Sequence, residues 1–166
     1  MNWKTWGAAT LGLWAVGLAW AQPKAAWPTR AEGLWEIDVR VGSAAPVRVR
    51  QCTSRHVDVE TFMSIVPAQE NCRRQVRKQA PAKWQVSTVC TIHEHQAHGD
   101  IRIEGDPKQA YRGTYSVRKP NQSEPETGAF DARYLGPCEP AMKPGEMVLP
   151  NRVKIDVTKS HDGHKH

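Results

Sequence analysis

Residues 34–41 read LWEIDVRV, and from Trp35 onward apolar and charged side chains alternate. This period of two places the odd-numbered side chains on one face and the even-numbered side chains on the other, which is typical of a half-buried strand. Gly42-Ser43 follows as a turn, and residues 47–51 alternate again. The sequence therefore predicts a β-hairpin at the start of the fold.

The same alternation returns in four later segments, which we interpret as further strands. They cover residues 84–92, 101–104, 111–117 and 130–134. Turn residues lie between them, at His98-Gly99-Asp100 and at Gly105-Asp106-Pro107. Six strands with short connections predict a mainly β (α+β) fold, built as an antiparallel meander sheet and held together by disulfides.

One early segment, residues 54–66, has helical spacing instead. Its apolar face consists of Val57, Phe62 and Ile65. Ser54 is the predicted N-cap and Pro67 ends the pattern. We therefore predict one short helix, and an apolar sheet face that is either folded on itself or covered by this helix.

A dense run of positive charge lies in residues 71–83. It consists of Arg73, Arg74, Arg77, Lys78 and Lys83. We interpret this run as a solvated loop or a fraying helix between the two halves of the sheet. The alternative is a patch that docks on an anionic envelope surface through its first four basic residues.

The other aperiodic segments are rich in proline or polar residues. Residues 119–128 are predicted to form a flexible loop, and residues 139–150 an extended strap. Residues 152–158 have the pattern of a weak edge strand. We expect residues 160–166 to be disordered.

The first 21 residues have the three parts of a secretory signal peptide. Lys4 supplies the positive charge, residues 8–18 form an uncharged apolar run, and Ala19-Trp20-Ala21 provides small residues at the cleavage positions. The apolar run is too short to cross about 30 Å of hydrocarbon comfortably. We therefore predict cleavage after Ala21, a periplasmic location and no stable membrane span in the mature protein.

Length and composition favour one folded domain in the remaining chain. The chain has 166 residues, of which 39% are hydrophobic, enough to form a core. We predict a linker over residues 22–30, a β-rich domain over 31–150, and a C-terminal extension over 151–166 that ends in a histidine-rich tail. The net charge is +6, but a nucleic-acid partner is not expected for an exported protein.

Four cysteines, Cys52, Cys72, Cys90 and Cys138, remain after the predicted cleavage. An even number in an exported domain predicts two disulfides, and three pairings are possible. We favour Cys52 with Cys72 and Cys90 with Cys138, because these bonds close two separate loops. A C-x-x-C redox motif is absent from the sequence, and four singly spaced cysteines do not suit a zinc site.

Several of these motifs together resemble the domain-of-unknown-function 3617 family of small exported bacterial proteins. The motifs are Gly33-Leu34-Trp35-Glu36, Cys52-Thr53, the series Cys72, Trp84 and Cys90, and Ala132-Arg133-Tyr134-Leu135-Gly136-Pro137-Cys138. The resemblance covers residues 31–150 and implies a signal peptide, disulfide-linked cysteines and a periplasmic home, but no catalytic residues. Ser54-Arg55 departs from the Pro-Glu expected after Cys-Thr, and the histidine-rich end lies outside the pattern.

The sequence contains no familiar catalytic signature. The nucleophile elbow, the phosphate-binding loop, the dinucleotide fingerprint and the H-E-x-x-H zinc motif are all absent. Ser54 and His56 are close in sequence, but no acid that would orient the histidine can be identified. We therefore predict no catalytic residue and no cofactor.

Histidines are the one group with metal-ligating potential. His93 and His95 share a strand face by spacing, and His98 follows in the predicted turn, so these three could bind copper, nickel or zinc. The alternative interpretation places His93 and His95 on the solvent-exposed face of the sheet without a metal. Outside this group, the tail has His161, His164 and His166, and Met142 and Met147 are either copper(I) ligands or packing residues.

We arrive at two functional hypotheses. The first is a non-enzymatic exported module that binds a small ligand or an envelope partner through the concave side of its sheet or through its basic segment. The second is periplasmic metal binding or buffering through the histidines. A hydrolase ranks third.

Overall fold

The computed structural model describes residues 25–69, 71–92 and 94–159. The predicted signal peptide, His93 and the histidine-rich tail lie outside these ranges. Within them, the chain forms one helix and nine strands. These are β1 (Gly33–Val41), β2 (Val47–Thr53), α1 (Asp58–Met63), β3 (Cys72–Ala80), β4 (Lys83–Ile92), β5 (His95–Asp106), β6 (Ala110–Arg118), β7 (Glu126–Gly136), β8 (Glu146–Val148) and β9 (Lys154–Asp156).

The nine strands form one open antiparallel sheet in the order β3-β4-β5-β6-β7-β1-β2-β8-β9. The predicted mainly β class with one short helix is therefore confirmed, and β1 and β2 form the predicted hairpin. The predicted strand count of six is wrong, because β3 and β8 were not predicted and the weak edge strand predicted over residues 152–158, which contains β9, was not among the six. β8 contains only three residues, which is too few for an alternating pattern to be recognised.

The basic segment is a strand and not the predicted solvated loop or fraying helix. β3 pairs with β4 along its length, from Cys72 opposite Cys90 to Ala80 opposite Lys83. It lies at the edge of the sheet, and none of its residues is fully buried. Without a buried face, a strand does not need alternating apolar residues, which is why the sequence pattern missed it.

A turn was also predicted wrongly at His98-Gly99-Asp100, since β5 runs continuously through these residues. Gly99 lies opposite Thr88 of β4, and a Cβ at this position would overlap the Thr88 hydroxyl oxygen. The glycine therefore permits close packing within the sheet. Glu94, which has a φ of 67°, lies in the actual reversal between β4 and β5.

Helix α1 is shorter than predicted and has a different start. It covers six residues, and its N-cap residue, Val57, makes no side-chain capping bond. Ser54 contributes its backbone carbonyl, which accepts a hydrogen bond from the Val57 N–H at 3.1 Å. A helix of this length has little stability of its own, so packing against the sheet must hold it in place.

The core lies on one face of the sheet, which we call the inner face. Its largest fully buried side chains include Trp35, Phe62 and Phe130. Phe62 of α1 makes edge contacts with Trp27 at 5.0 Å and with Phe130 of β7 at 5.6 Å between ring centroids. The helix therefore covers the inner face, which is one of the two arrangements that the sequence predicted.

A smaller apolar cluster lies on the outer face. Met142, in the predicted strap, packs there with Leu34 and Cys52, while Met147 belongs to the main core. Both methionines are 6% exposed. They are packing residues in this structure, which is the second of the two roles considered for them.

Two disulfides are present, but the favoured pairing was wrong. The bonds join Cys52 to Cys138 and Cys72 to Cys90. Cys72 and Cys90 lie directly opposite each other on β3 and β4, with their Cα atoms 4.0 Å apart. The sequence did not indicate this proximity, because the segment that forms β3 was predicted to be a loop or a fraying helix. The shorter loop is nested in the longer one, so this arrangement also avoids crossing.

Candidate functional site

One ligand-sized opening lies between the two edge strands of the open sheet. The end of α1, the start of β3 and the residues around β9 line one cavity of about 510 Å³, which we call the edge cleft. Its apolar lining residues are Met63, Val66, Met147, Ile155 and Val157. Its charged lining residues are Glu60, Arg74, Asp156 and Lys159. This volume lies within the range of about 300–1,000 Å³ that is typical of pockets that hold small molecules, and the walls of the cleft are mixed, with polar residues beside the apolar ones.

Asp156 supplies a fixed negative charge at the cleft. Its carboxylate accepts hydrogen bonds from the Thr158 hydroxyl at 2.6 Å and from the Thr158 N–H at 3.1 Å. These bonds, together with Lys159 at 3.3 Å, lower the pKa of Asp156 below its ordinary value. The carboxylate is therefore ionised at neutral pH.

Arg74 supplies a positive charge at the opposite wall. It is exposed, and within the described part of the chain no carboxylate oxygen lies within 4 Å of its guanidinium. A guanidinium without a partner can receive an anionic group of a ligand in bidentate geometry. The cleft thus combines an apolar interior with charges of both signs at its walls.

Behind the cleft, a buried arginine fixes α1 to the sheet. The Arg30 side chain is 1% exposed, and its Nε lies 2.6 Å from the Asp58 carboxylate. Its two terminal nitrogens donate to Gln51 at 3.1 Å, Tyr111 at 3.2 Å, the Asp58 carbonyl at 3.1 Å and Thr61 at 2.6 Å. These contacts occupy the donor capacity of the guanidinium, so Arg30 is an anchor and not a ligand-binding group.

The Arg30 network reaches the edge cleft through Gln51. The Gln51 amide nitrogen donates to Ser64 at 2.9 Å and to the Met147 sulfur at 3.6 Å. Burial raises the pKa of Tyr111, which keeps its phenol neutral beside the guanidinium. Arg30 and Trp27 fall in the predicted linker. No pattern in the sequence marked Arg30, because arginines are seldom fully buried.

The outer face holds a second group of charges, centred on Glu36. This carboxylate is 7% exposed on its side chain and binds Arg133 at 2.5 Å, with Arg48 and Arg50 both at 3.6 Å. Arg48 also makes a two-pronged bond to Asp38 at 2.7 and 2.9 Å, and this hydrogen bonding lowers the pKa of Asp38. Every charge in this group already has an opposite partner, which is typical of a solvated sheet face.

The four basic residues of the predicted docking patch are divided between two faces by the pleat of β3. Arg73 and Arg77 lie on one side of the strand, and Arg74 and Lys78 lie on the other. Lys78 lies over the Trp84 ring, with its ammonium 5.9 Å from the centroid. All four are exposed.

The predicted histidine site is only partly described. His95 and His98 are exposed and are three positions apart on β5, so their side chains point to opposite faces of the sheet. His93 lies outside the described residues. Within the described ranges, no three His, Cys, Asp or Glu side chains are arranged to hold a metal ion. Metal binding through His93 and His95 stays a prediction.

Ser54 and His56 lie in the connection between β2 and α1, where Ser54 is half-buried and His56 is exposed. Across residues 25–69, 71–92 and 94–159, no helix has the length and hydropathy needed to cross a membrane.

A family model described as "Protein of unknown function (DUF3617)" matches residues 30–138. The chain belongs to this family. The DUF3617 match begins at Arg30 and ends at Cys138, so it contains the buried anchor and both disulfides. β8 and β9, which line one side of the edge cleft, lie beyond it. No curated protein and no solved structure matches the chain.

Proposed function

We propose that this DUF3617 protein is an exported, non-enzymatic module that binds a small amphipathic ligand in the edge cleft. The observation that carries the proposal is the cleft itself, a cavity of about 510 Å³ between the two edges of an open sheet. Its wall contains methionine and valine side chains, which favour binding over chemistry because thioethers and methyl groups are neither bases nor strong nucleophiles.

The charges of the cleft favour a ligand with an apolar body and an ionised end. Met63 and Met147 are flexible thioethers that adapt to ligands of irregular shape. Arg74 offers an unpaired guanidinium to an anionic head group, whereas Asp156 is already bonded to Thr158 and Lys159. Arg74 is therefore the group in the cleft that would bind the head group of an anionic amphiphile.

Filling the cleft should abolish this binding. We expect Val157→Trp, which places an indole against a half-buried lining position, to weaken binding of the dye 1-anilinonaphthalene-8-sulfonate by about tenfold or more, since the ligand and the indole compete for the same volume. Val153→Trp is the matched control, because Val153 is 47% exposed and does not line the cleft. Fluorescence titration of both variants gives the affinities.

Equal dye affinity in the two variants would contradict the proposal, as would an absence of dye binding to the wild-type protein. Thermal unfolding of each variant establishes that both are folded before the affinities are compared.

Export is supported by the leader-like residues 1–21 and by two disulfides, which form and persist in oxidising compartments. Expressed with its own leader in a Gram-negative host, the protein should be recovered from the periplasmic fraction with Gln22 as its first residue and without free thiols. Intact mass spectrometry with and without a thiol-alkylating reagent measures both properties. A cytosolic protein that retains Met1 and four alkylated cysteines would overturn this part of the proposal.

Periplasmic metal binding is the alternative function, and the described residues give it no specific support. A copper titration of the His93→Ala/His95→Ala variant tests it, because an unchanged affinity would exclude these two ligands.

A further inference from the structure

We propose that the outward edge of β3, against which no strand of the described residues pairs, is a protein-docking site that accepts an extended acidic segment of a partner as an additional strand. This edge, which we call the docking edge, consists of the outward backbone groups of Arg74, Val76 and Lys78 together with the basic side chains of β3. The docking edge shares Arg74 with the edge cleft, but Lys78 does not line the cleft, so variants of Lys78 test the docking edge separately from ligand binding.

The register of β3 against β4 determines which backbone groups face outward. Cys72 and Cys90 are directly opposite with Cα atoms 4.0 Å apart, which is the close spacing of a pair that does not exchange backbone hydrogen bonds. If Cys72 and Cys90 do not exchange backbone hydrogen bonds, their neighbours Asn71 and Thr91 must do so. The Thr91 N–H indeed donates to the Asn71 carbonyl at 3.4 Å. Every second residue after Cys72 therefore directs its N–H and C=O away from β4.

A contact already made at this edge supports the assignment. The Val76 carbonyl accepts a hydrogen bond from the N–H of Ala25 at 3.2 Å, from a segment outside the sheet. The Val76 carbonyl is thus available to a passing chain, as the register predicts. An incoming strand would replace this single bond with a regular series to Arg74, Val76 and Lys78.

Length and charge distinguish β3 from the other edge of the sheet. β3 contains nine residues, whereas β9 contains three. β3 carries four cations and no carboxylate, and in the described part of the chain no carboxylate oxygen lies within 4 Å of those cations. Lys83 is the one charged residue of β4, and it is also basic.

This charge identifies the kind of partner. A second copy of this strand would bring four further cations against the first four, so self-pairing through β3 is disfavoured. An extended segment with acidic residues at alternate positions would place carboxylates beside the arginines on one face. Positive charge on an edge strand also prevents indiscriminate pairing, and an acidic partner is the one that overcomes this barrier.

The test uses a fluorescein-labelled octapeptide in which glutamate and valine alternate. We expect it to bind the full mature protein at low ionic strength and to weaken as salt is added. A peptide of the same sequence with N-methyl groups on alternate amides should bind at least about fivefold more weakly, because it keeps its charge but loses strand pairing. Fluorescence anisotropy measures both affinities.

Two variants of Lys78 separate charge from backbone pairing. Lys78→Ala removes the ammonium, whereas Lys78→Pro also removes an N–H that faces away from β4. We expect the proline variant to bind the octapeptide roughly five- to tenfold more weakly than the alanine variant, the effect of about one lost hydrogen bond. Lys78 does not line the edge cleft, so dye binding should be the same in both.

Amide hydrogen exchange in the wild-type protein gives a readout that needs no variant. On peptide binding, the N–H groups of Arg74 and Val76 should gain protection, while those of Arg73 and Gln75, which already face β4, should change little. Equal binding of the N-methylated peptide, or unchanged exchange at Arg74 and Val76, would overturn the proposal. Binding to anionic lipid vesicles with no binding of the octapeptide would overturn it in favour of a membrane-surface role.

Discussion

Replacing Arg30 with methionine should lower the free energy of unfolding by about 3–5 kcal/mol, because the change leaves the buried Asp58 carboxylate without its cationic partner. The two side chains are 1% and 3% exposed and their charged atoms are 2.6 Å apart. Only the Trp27 indole N–H at 3.0 Å and the backbone N–H of residue 30 at 3.1 Å would still donate to the carboxylate. Urea unfolding followed by tryptophan fluorescence measures the loss.

An exposed arginine provides the matched control. Arg55 is 79% exposed and lies 3.6 Å from Glu32, so Arg55→Met should cost less than about 1 kcal/mol. Combining Arg30→Met with Asp58→Asn removes the uncompensated charge. The double variant should therefore regain part of the free energy of unfolding that Arg30→Met loses. The anchor model would be wrong if Arg30→Met were no more destabilising than Arg55→Met.

The contacts of Arg30 also explain how the short helix α1 is held in place. A domain of this size is stable by about 5–15 kcal/mol in total, so leaving Asp58 buried without its partner should cost a large fraction of that stability. Helix α1 has six residues and no side-chain cap, and its Asp58 and Thr61 are held by the guanidinium. The helix is thus fixed by a tertiary contact and not by its own sequence.

The parts of the fold that the sequence predicted are those with one buried and one exposed face. Residues 101–104 of β5 alternate because Ile101 and Ile103 are buried while Arg102 and Glu104 on the opposite side are exposed. β3 has no such contrast, since it lies at the edge with both faces accessible, and its charges masked its strand character. Burial of one face of a strand produces the alternation of apolar and polar residues in the sequence. The edge strand β3 has no fully buried face, so its sequence does not alternate.

The edge cleft could not be predicted from local patterns. Met63, Arg74, Met147 and Val157 come from four separate segments, and they meet because both end strands of the sheet, β3 and β9, border the same cavity. The strand order departs from a simple meander, because β7 returns to pair with β1. This return is a non-local pairing, and single-sequence periodicity contains no information about it.

The two disulfides should contribute unequally to the free energy of unfolding. Removing the one that closes the longer loop should be the more destabilising of the two paired substitutions. The chain-entropy model gives about 4–5 kcal/mol for the loop of 86 residues between Cys52 and Cys138. It gives about 3 kcal/mol for the loop of 18 residues between Cys72 and Cys90. The Cys52→Ala/Cys138→Ala variant should therefore unfold at lower urea concentration than Cys72→Ala/Cys90→Ala.

The packing around Cys52 adds to this difference, although Cys52 and Cys90 are both fully buried. Cys52 is fully buried and packs with Leu34 and Met142, so its removal also loosens the outer cluster that holds the strap against the sheet. Urea unfolding of the two double variants, each with its remaining disulfide intact, measures the order. A peptide map of the unreduced wild-type protein must show the corresponding linked fragments. Fragments linking Cys52 to Cys72 would contradict the structure, and equal destabilisation in both variants would contradict the dependence on loop length.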